Sequence, residues 1–492
     1  MSKIKLAATV ILTRGPAHDP EVYLARRAPE LRFFGGYWVF PGGNVSKVDY
    51  HGEGEPEERV LKRCAIREML EETDILCATM GKQFSPERKQ ALKGQIKEAP
   101  EQWRQFLAQS ADGFDRVTPL FRITTPSFVP IRFDTQFMHV RAWDNEVPEI
   151  DQYELVDGRF AKPQEVVEAW DRGEMEIAPP VLFLLRLIAA GSIDTFPGRA
   201  RLETQRLAQG GLHPVYFSPG VFVAPLSTPT LPPATTTNTL IAGVDKLYVI
   251  DPATPDPAEQ QRLFNKMDEL VGGGRSFEAI LLTHHHIDHV GAVNAVSKRY
   301  RLPVRAHAET YRRVDGDYIT GEPLADGDRL ELGTAPDGSR DWHLKVVHTP
   351  GHAVDHLCFI DSRYHAAIVG DMLSTVSTII IDPPEGHMGT YLHSLNRLLE
   401  MPVKTLYPAH GLPHRDGHGL IRRFLRHRQK REDAIKSALA GEPRSLDELL
   451  PDAYADISED VYPIASRSLL AGLIKLEEDG FCRRQGAGWL LA

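Results

Sequence analysis

The sequence predicts a multidomain protein of mixed α/β and α+β class. At 492 residues the chain is too long for one hydrophobic core and fits about three domains of ~150 residues. Hydrophobic residues make up 42% and charged residues 25% of the chain, which is ordinary for a globular protein. Short apolar, strand-like runs alternate with helical stretches, and several of these runs end in side chains that bind metals.

Charge and cysteine content narrow the class of protein. A net charge of −10 argues against nucleic-acid binding by the whole surface, though not against a local basic patch. The cysteines lack the spacing of a metal site and indicate a reducing cytoplasm without disulfides: Cys64, Cys77, Cys358 and Cys482. Residues 3–13 are too short and strand-like for a signal peptide, and Arg186 interrupts the apolar run 181–190. We therefore expect a cytoplasmic protein without a membrane partner.

The densest group of metal-ligand side chains is THHHIDH at residues 283–289, directly after an apolar run that predicts a buried strand. His284 and His286 are two apart, so in an extended loop they point the same way. Asp288 and His289 can turn toward a second metal as a helix begins. Imidazoles with one carboxylate suit zinc-like ions. The alternative, a solvated histidine-rich turn, is disfavoured because matching ligands recur downstream.

Three further ligand-type side chains follow short apolar runs: His352, Asp371 and His410. HxHxDH followed by His, Asp and His in this order resembles the metallo-β-lactamase fold hydrolases, which implies an αββα sandwich. By position the resemblance implies two zinc ions, one held by His284, His286 and His352, the other by Asp288, His289 and His410, with Asp371 bridging both. It also makes Asp288 a predicted catalytic residue. Two such ions would supply a hydroxide nucleophile at neutral pH and polarise the scissile group.

A second set of ligand-type side chains lies on a predicted helix in the amino-terminal part. Glu68, Glu71 and Glu72 are spaced i, i+3 and i+4, so they share one helix face. Like charges on one face repel unless a cation is present, and oxygen ligands alone favour magnesium or manganese. The alternative is an exposed acidic helix surface, which the preceding Gly-Gly turn and Arg67 disfavour.

With Arg67, these glutamates resemble the Nudix box, whose core is Arg-Glu-x-x-Glu-Glu. The resemblance implies a Nudix α/β/α sandwich. Two features depart from the box. Asp74 stands where glycine is usual, and the stretch from Gly43 to Arg67 is longer than the standard box.

Residues upstream of the box resemble the coenzyme A signature of Nudix diphosphatases: Arg27-Ala28, Arg32, Gly36 and FPGG at 40–43. A subgroup of these enzymes carries an insertion inside the box with a Pro-Glu pair, here Pro56-Glu57. A diphosphate needs its charge neutralised and a water delivered to phosphorus. The resemblance implies substrate binding by Arg27, Arg32, Gly42 and Gly43, and metal binding and catalysis by Glu68, Glu71 and Glu72.

The carboxyl-terminal part begins with a basic helix, predicted at 421–439. Its cations are Arg422, Arg423, Arg426, Arg428, Lys430 and Arg431. Such a charge run is usually a solvated face, and contact with nucleic acid is the alternative. Two further helical stretches and two terminal strands resemble the winged-helix tail of the β-lactamase-like protein 2 branch, whose known members include an endoribonuclease.

These observations predict a Nudix domain at 1–195, a linker at 196–212, a metallo-β-lactamase fold at 213–413 and a winged helix at 414–492. The predicted function is a bifunctional metal-dependent hydrolase. Its Nudix half would use magnesium or manganese to cleave the diphosphate of coenzyme A or acyl-coenzyme A. Its other half would use two zinc ions on an ester, a thioester or a single-stranded RNA phosphodiester. The alternative is a nucleotide-sensing, nucleic-acid-binding protein with a non-catalytic Nudix unit and an endoribonuclease-like metallo-β-lactamase unit.

Overall fold

A computed structural model describes residues 4–31, 33–77, 84–126, 128–129, 131–143, 146–150 and 153–492. The chain forms two compact units, Met1–Val215 and Tyr216–Ala492. Each unit has its own sheets and its own core.

The first unit is built on a mixed sheet. Its strands are β1 (Lys5–Arg14), β2 (Glu21–Arg27), β3 (Trp38–Val39), β4 (Gly42–Asn44), β5 (Thr118–Thr124), β6 (Phe133–Arg141) and β7 (Leu155–Ala161). They run in the order β3-β2-β1-β6-β5, with β4 paired to β1 and β7 paired to β2. The central pair β1 and β6 is parallel. This sheet supports the helix that carries the predicted acidic site.

The helices of the first unit are α1 (Glu57–Thr73), α2 (Pro86–Glu98), α3 (Pro100–Gln109), α4 (Pro163–Asp171), α5 (Pro179–Ala189) and α6 (Phe196–Ala208). Helix α1 packs on β1 and β4. The charged segment 85–110 forms two helices. Ala99 leaves the helical conformation with φ −139° before Pro100 begins α3, because a residue that precedes proline is driven out of the helical region.

The predicted linker at 196–212 is mostly the helix α6. Phe196 and Ala200 are fully buried, and the Phe196 ring lies 6.4 Å from the ring of Phe121 on β5. Two apolar residues at helical spacing are too few to predict a helix from the sequence. In the structure, their burial attaches the helix to the core. We therefore propose that the amino-terminal domain extends to the end of α6.

The second unit contains two large sheets, and a two-stranded sheet that is described below. The first has β8 (Val215–Ser218), β9 (Val221–Ser227), β10 (Thr236–Gly243), β11 (Lys246–Ile250), β12 (Ser276–Leu281), β13 (Pro303–Arg305) and β14 (Ile319–Thr320). The second has β15 (Arg329–Gly333), β16 (Trp342–His348), β17 (Leu357–Asp361), β18 (Ala366–Gly370) and β19 (Thr405–Pro408). In both sheets the strands lie in sequence order. Strand β15 contacts β10 and β11, so the two sheets face each other.

Helices cover both outer faces of this sandwich. They are α7 (Pro257–Gly272), α8 (Ile287–Val290), α9 (Val293–Tyr300), α10 (Met388–Leu399) and α11 (Gly417–Ala438). Helices α7 and α9 pack on β12. Tyr391 of α10 and Ile421 of α11 share a buried core with Val347, Cys358 and Ala367 of the second sheet. This is the predicted αββα sandwich.

The carboxyl-terminal region continues from α11 through α12 (Leu446–Ala453), α13 (Tyr462–Glu478) and the antiparallel strands β20 (Cys482–Gln485) and β21 (Gly488–Leu491). Ile435 of α11 joins Leu449, Leu469 and Trp489 in one core. The two halves of α11 therefore belong to different cores, because its first half packs in the sandwich. The predicted helices and the two-stranded wing are present.

All four cysteines are free and buried. Within the described ranges, no helix has the length and apolar character needed to cross a membrane.

Candidate active sites

Seven metal-ligand side chains come together in the second unit, and they are the seven predicted from the sequence. Each lies in a loop or short helix that follows a strand: His284, His286, Asp288 and His289 after β12, His352 after β16, Asp371 after β18, and His410 after β19. Because the strand ends are held by the two sheets, the loops that follow them bring these side chains to one place.

The first group consists of His284, His286 and His352, whose ligand atoms lie within 4.8 Å of one another. His286 Nδ1 is 3.0 Å from His284 Nε2 and 3.1 Å from His352 Nε2. His352 Nδ1–H donates to the Ile380 carbonyl oxygen at 2.9 Å, so its Nε2 lone pair faces the group. Three imidazoles in this arrangement match a zinc site that keeps a position open for substrate or water.

The second group consists of Asp288, His289 and His410. His410 Nε2 lies 3.5 Å from Asp288 Oδ2. On the far side of its ring, His410 Nδ1–H donates to the Thr236 carbonyl oxygen at 3.1 Å. His289 Nδ1–H donates to a carboxylate in the same way, as described below. Both Nε2 atoms therefore turn toward the group.

Asp371 lies between the two groups. Its Oδ2 is 3.5 Å from His352 Nε2 in the first group. Its Oδ1 is 3.3 Å from His410 Nε2 and 3.7 Å from His289 Nε2 in the second. One carboxylate thus reaches both sets of imidazoles, which is the position predicted for a bridging ligand.

Two buried atoms show that this donor set fits metal ions. His289 Nε2 and Asp371 Oδ1 are buried and have no hydrogen-bond partner in residues 153–492, all of which the structure describes. Leaving a buried polar atom unpaired costs about 1–3 kcal/mol. A divalent cation would satisfy both atoms, and the mixture of imidazole and carboxylate donors suits zinc-like ions.

Burial and neighbouring charges change the pKa values of the histidines. Burial lowers the pKa of His284 well below its usual value and, together with the charge of His352, lowers that of His286 to about 3. Both rings are therefore neutral at neutral pH, which is the form that binds metal. His289 differs. Although burial alone would lower its pKa, Asp251 and Asp371 raise it well above the usual value, so metal binding at His289 must release a proton.

The residues that orient these ligands were missed from the sequence. Asp251, directly after β11, accepts from His289 Nδ1–H at 2.9 Å and from the Thr283 backbone N–H at 2.7 Å. His356 is fully buried, and its Nε2 accepts from the Asp371 backbone N–H at 3.1 Å. Gly370 beside it has φ +45°, and a Cβ there would lie 2.7 Å from His356 Nε2. The Asp-Pro pair that closes the apolar run 247–250 is the available signal for Asp251.

The acidic site of the first unit is organised by Arg67. Its Nη1 lies 2.7 Å from Glu68 Oε1 and 2.9 Å from Glu71 Oε2. Its Nε and Nη2 each lie 2.9 Å from the carboxylate of Asp49, which is fully buried. Arg67 therefore pairs inside the box and holds the helix face in place. Asp49 belongs to the insertion and was not predicted.

The predicted glycines contact the glutamates. The Gly42 backbone N–H donates to Glu72 Oε2 at 2.8 Å, and a Cβ on Gly43 would lie 2.5 Å from Glu68 Oε1. Arg27 is half-buried, with Nη2 3.6 Å from Glu154 Oε2. The other predicted phosphate-binding residue, Arg32, lies outside the described residues.

The ligand atoms of the three glutamates lie farther apart than those of the histidine groups. Across the ranges that the structure describes, they do not form a set of ligand atoms within 4.8 Å of one another. Burial nevertheless raises the pKa of Glu68 to about 7 and that of Glu72 to about 8. Carboxylates that are this reluctant to ionise are what a bound cation would stabilise, so the donor chemistry fits magnesium or manganese.

Asp74, the departure from the Nudix box, preserves the turn that glycine usually makes. It ends α1 in the left-handed conformation with φ +58°, which aspartate tolerates better than most residues. Its carboxylate lies 3.2 Å from Lys89 Nζ and 3.1 Å from Lys93 Nζ of α2. The substitution therefore leaves the end of the acidic helix intact.

Comparison with known families agrees with this architecture. The NUDIX domain model matches residues 3–171, the metallo-beta-lactamase superfamily model matches 231–410, and the beta-lactamase associated winged helix domain matches 445–489. The protein is thus a hydrolase. It carries a Nudix domain followed by a metallo-β-lactamase domain and its associated winged helix.

Curated relatives align with about half of this chain or less. A lactamase-like protein of Aspergillus niger is 25% identical over 258 residues, which are 49% of this chain and 75% of the relative. The beta-lactamase-like protein 2 homolog of Drosophila melanogaster is 26% identical over 260 residues, which are 50% of this chain and 84% of the relative. An atrochrysone carboxyl ACP thioesterase of Claviceps purpurea is 29% identical over 209 residues, which are 41% of this chain and 60% of the relative.

Proposed function

We propose that the metallo-β-lactamase domain hydrolyses an acyl thioester with two zinc ions held by the seven predicted ligands: His284, His286 and His352 for one ion, Asp288, His289 and His410 for the other, and Asp371 between them. The observation that carries the proposal is their convergence around the unpartnered His289 Nε2 and Asp371 Oδ1. When bound, such ions activate water at neutral pH and polarise the scissile carbonyl.

The protein's own residues orient the reaction. Asp288 is half-buried, and its Oδ2 faces the second group, so we assign it the proton of the attacking water. Asp251 and the Thr236 carbonyl hold the rings of His289 and His410. The loop at 228–235 lies beside the site, with Thr230 Oγ1 3.5 Å from His410 Nε2, and it would exclude water on that side.

The choice of a thioester is supported by the relatives that are named as acyl carrier protein thioesterases. A thioester substrate would also join the two halves of the chain, since a Nudix diphosphatase of the coenzyme A type would act on the same acyl-coenzyme A.

We propose that the Nudix domain cleaves the diphosphate of coenzyme A or acyl-coenzyme A. Glu68, Glu71 and Glu72 would hold magnesium or manganese, which neutralises phosphate charge, and Arg27 with Arg32 would grip the phosphates. Burial raises the pKa values of Glu68 and Glu72 in the metal-free protein, and a carboxylate beside the bound cation can take the proton of the attacking water. We assign one of these two groups to deprotonate the water.

Product analysis tests both assignments on the full chain. The protein is incubated with acetyl-coenzyme A or coenzyme A, with zinc or magnesium added separately. We expect zinc to support release of acetate and free thiol, and magnesium to support formation of 3′,5′-ADP and a 4′-phosphopantetheine product. Intact acetyl-coenzyme A with zinc would contradict the thioesterase assignment. Intact coenzyme A with magnesium would make the Nudix domain a nucleotide-binding unit.

A second candidate substrate for the metallo-β-lactamase domain is single-stranded RNA. The observation that favours it is the row of exposed cations Arg422, Arg423 and Arg426 on α11. The rest of the predicted basic run is already engaged, since Arg428 is buried and Lys430 and Arg431 pair with Asp456. Cleavage of RNA with zinc in the same assay would favour this candidate.

A further inference from the structure

Residues 379–387, here called the ligand-backing segment, connect the loop after Asp371 to helix α10. On one side the segment contacts the first group of histidines. The Ile380 carbonyl oxygen accepts from His352 Nδ1–H at 2.9 Å. The His387 backbone N–H donates to the Gly351 carbonyl oxygen at 2.8 Å, one residue before His352. The segment therefore sets the orientation of His352.

Glu385 of the same segment lies behind His286. Its Oε2 is 3.8 Å from His286 Nε2, and its Oε1 is 3.3 Å from His285 Nε2. His286 uses Nδ1 to face the other ligands, so Glu385 faces the opposite ring nitrogen. Within residues 153–492, Glu385 Oε1 is buried without a hydrogen-bond partner. At 3.8 Å the contact with His286 is electrostatic and not a hydrogen bond, and a negative charge in this place makes the imidazole a stronger metal donor.

The other side of the ligand-backing segment is fastened by the carboxyl-terminal region, residues 417–492. The buried Arg428 of α11 donates to the Ile379 carbonyl oxygen and lies over the Tyr391 ring. Arg467 Nη1 of α13 lies 2.6 Å from Asp382 Oδ2. Glu478, at the end of α13, accepts from His387 Nε2–H at 3.0 Å.

Three contacts from α11 and α13 therefore reach residues 379–387. The first half of α11 is held in the sandwich core and the winged-helix part has a core of its own, so both are fixed in place where they contact the segment. The two outermost, Arg467 with Asp382 and Glu478 with His387, are between exposed side chains. Exposed pairs of this kind contribute only about 0–1 kcal/mol to stability. They add little to the stability of the fold, and they hold residues 379–387 beside α13.

We propose that the carboxyl-terminal region positions the three-histidine metal group through the ligand-backing segment, with Arg428, Arg467 and Glu478 as positioning residues. The inference rests on the proposed function, because it requires the histidines to bind zinc. It gives the winged helix a role inside the hydrolase, in addition to any contact with a polymer.

The test is zinc affinity of the full chain, measured by competition with a chromophoric chelator. In the double variant Arg467→Gln/Glu478→Gln, we expect one of the two bound zinc ions to dissociate about tenfold more readily, as for loss of outer ligand-orienting contacts. The other ion should keep its affinity. The absorption spectrum of the cobalt(II)-substituted protein should change for one site. Arg467→Lys/Glu478→Gln should recover part of the affinity, because a lysine can still pair with Asp382.

Asp479→Asn is the matched control, since Asp479 is a half-exposed carboxylate beside Glu478 that pairs with Lys475 on its own helix. It should retain both zinc affinities and the wild-type thermal midpoint. Wild-type affinity for both ions in the double variant would overturn the inference while leaving the proposed function intact. A wild-type protein that binds fewer than two zinc ions would instead overturn the proposed function. An equal loss of affinity in Asp479→Asn would reduce the effect to a general perturbation of α13, and the inference would fail.

Discussion

At the scale of single residues, the direction in which a predicted ligand nitrogen points is set by the atom that contacts the other nitrogen of the same ring. His352, His410 and His289 donate Nδ1–H to the Ile380 carbonyl, the Thr236 carbonyl and Asp251 respectively. A ring held in this way turns its Nε2 toward the other ligand side chains. The site is therefore arranged by the protein before any ion binds.

Asp371→Ala should abolish thioester hydrolysis and lower the zinc content of the protein. The carboxylate reaches both histidine groups, so its loss should cost more than the ~10–100-fold effect of losing an outer contact. Zinc analysis and a thiol-release assay measure the two effects. Cleavage of coenzyme A with magnesium should continue, because the Nudix domain has its own ligands.

Asp361→Asn is the control for that variant. Asp361 is also a buried aspartate of the second unit, and it accepts from Trp342 Nε1–H at 2.7 Å outside the metal groups. It should keep its zinc. Full zinc content and activity in Asp371→Ala would refute the seven-ligand assignment.

Magnesium binding to the Nudix domain should strengthen with rising pH. Burial raises the pKa values of Glu68 and Glu72 to about 7 and about 8, so both carboxyls are largely protonated in metal-free protein at lower pH. Magnesium binds the ionised form and must displace those protons. Its affinity should therefore increase from about pH 6 to about pH 9 and level off above. Calorimetry at pH 7 in two buffers of different ionisation enthalpy would detect the released protons.

Glu72→Gln provides the control for the pH effect. It removes one of the two titrating groups, so the pH dependence should become shallower. Coenzyme A cleavage should fall by the ~10²-fold or more that loss of a catalytic acid or base causes. A magnesium affinity that does not change with pH in the wild-type protein would contradict the assignment of these carboxylates.

At the scale of elements, α11 divides its basic residues between two tasks. Arg428 is buried against the ligand-backing segment, and Arg431 pairs with Asp456 at 2.8 Å. Arg422, Arg423 and Arg426 remain exposed. The basic run is thus neither wholly a solvated face nor wholly a surface for nucleic acid.

Replacing Arg422, Arg423 and Arg426 with Gln tests the RNA candidate. If these cations contact phosphates, each lost contact should flatten the slope of log affinity against log salt by roughly 0.7 on single-stranded RNA. Thioester hydrolysis should not change, because the side chains replaced are not zinc ligands. The readout is RNA binding measured over a range of salt concentrations.

Lys298→Gln/Arg299→Gln on α9 supplies the comparison, since these are exposed cations on a different helix. Their removal should leave the salt slope as it is. Wild-type protein without salt-dependent RNA binding would eliminate the ribonuclease candidate.

At the scale of the whole molecule, two compact units carry two separate ligand sets. The first set is acidic and buried against a glycine turn, and the second is rich in imidazole. Oxygen donors and imidazole donors prefer different metals, so the two activities should respond independently to metal removal.

A zinc-selective chelator should abolish thioester hydrolysis and leave magnesium-dependent cleavage of coenzyme A intact. Restoring zinc should restore the lost activity. Calorimetric unfolding should show a lower midpoint for the second unit only, because a ligand at 100 times its dissociation constant stabilises the folded state by about 2.7 kcal/mol. Loss of both activities together would show that the sites are coupled.

The sequence by itself determined which side chains of ligand type come together and most of the elements. HxHxDH after an apolar run predicts a strand followed by a ligand loop, and the spacing of Glu68, Glu71 and Glu72 predicts one helix face. These are local patterns, and they can be recognised in the sequence because side chains repeat with a fixed period along strands and helices. The αββα sandwich and the winged helix followed from the resemblance that these motifs carry.

Only the tertiary structure decided what holds the ligands. Asp251 contacts His289, which is 38 residues away in the sequence, and Asp49 contacts Arg67, which is 18 residues away. Glu385 lies in a loop that follows the second sheet, and it approaches His286, which follows a strand of the first. Burial of Phe196 likewise turned a predicted linker into helix α6. Such contacts form between segments that are distant in the chain, and they depend on strand order and packing, which no local pattern records.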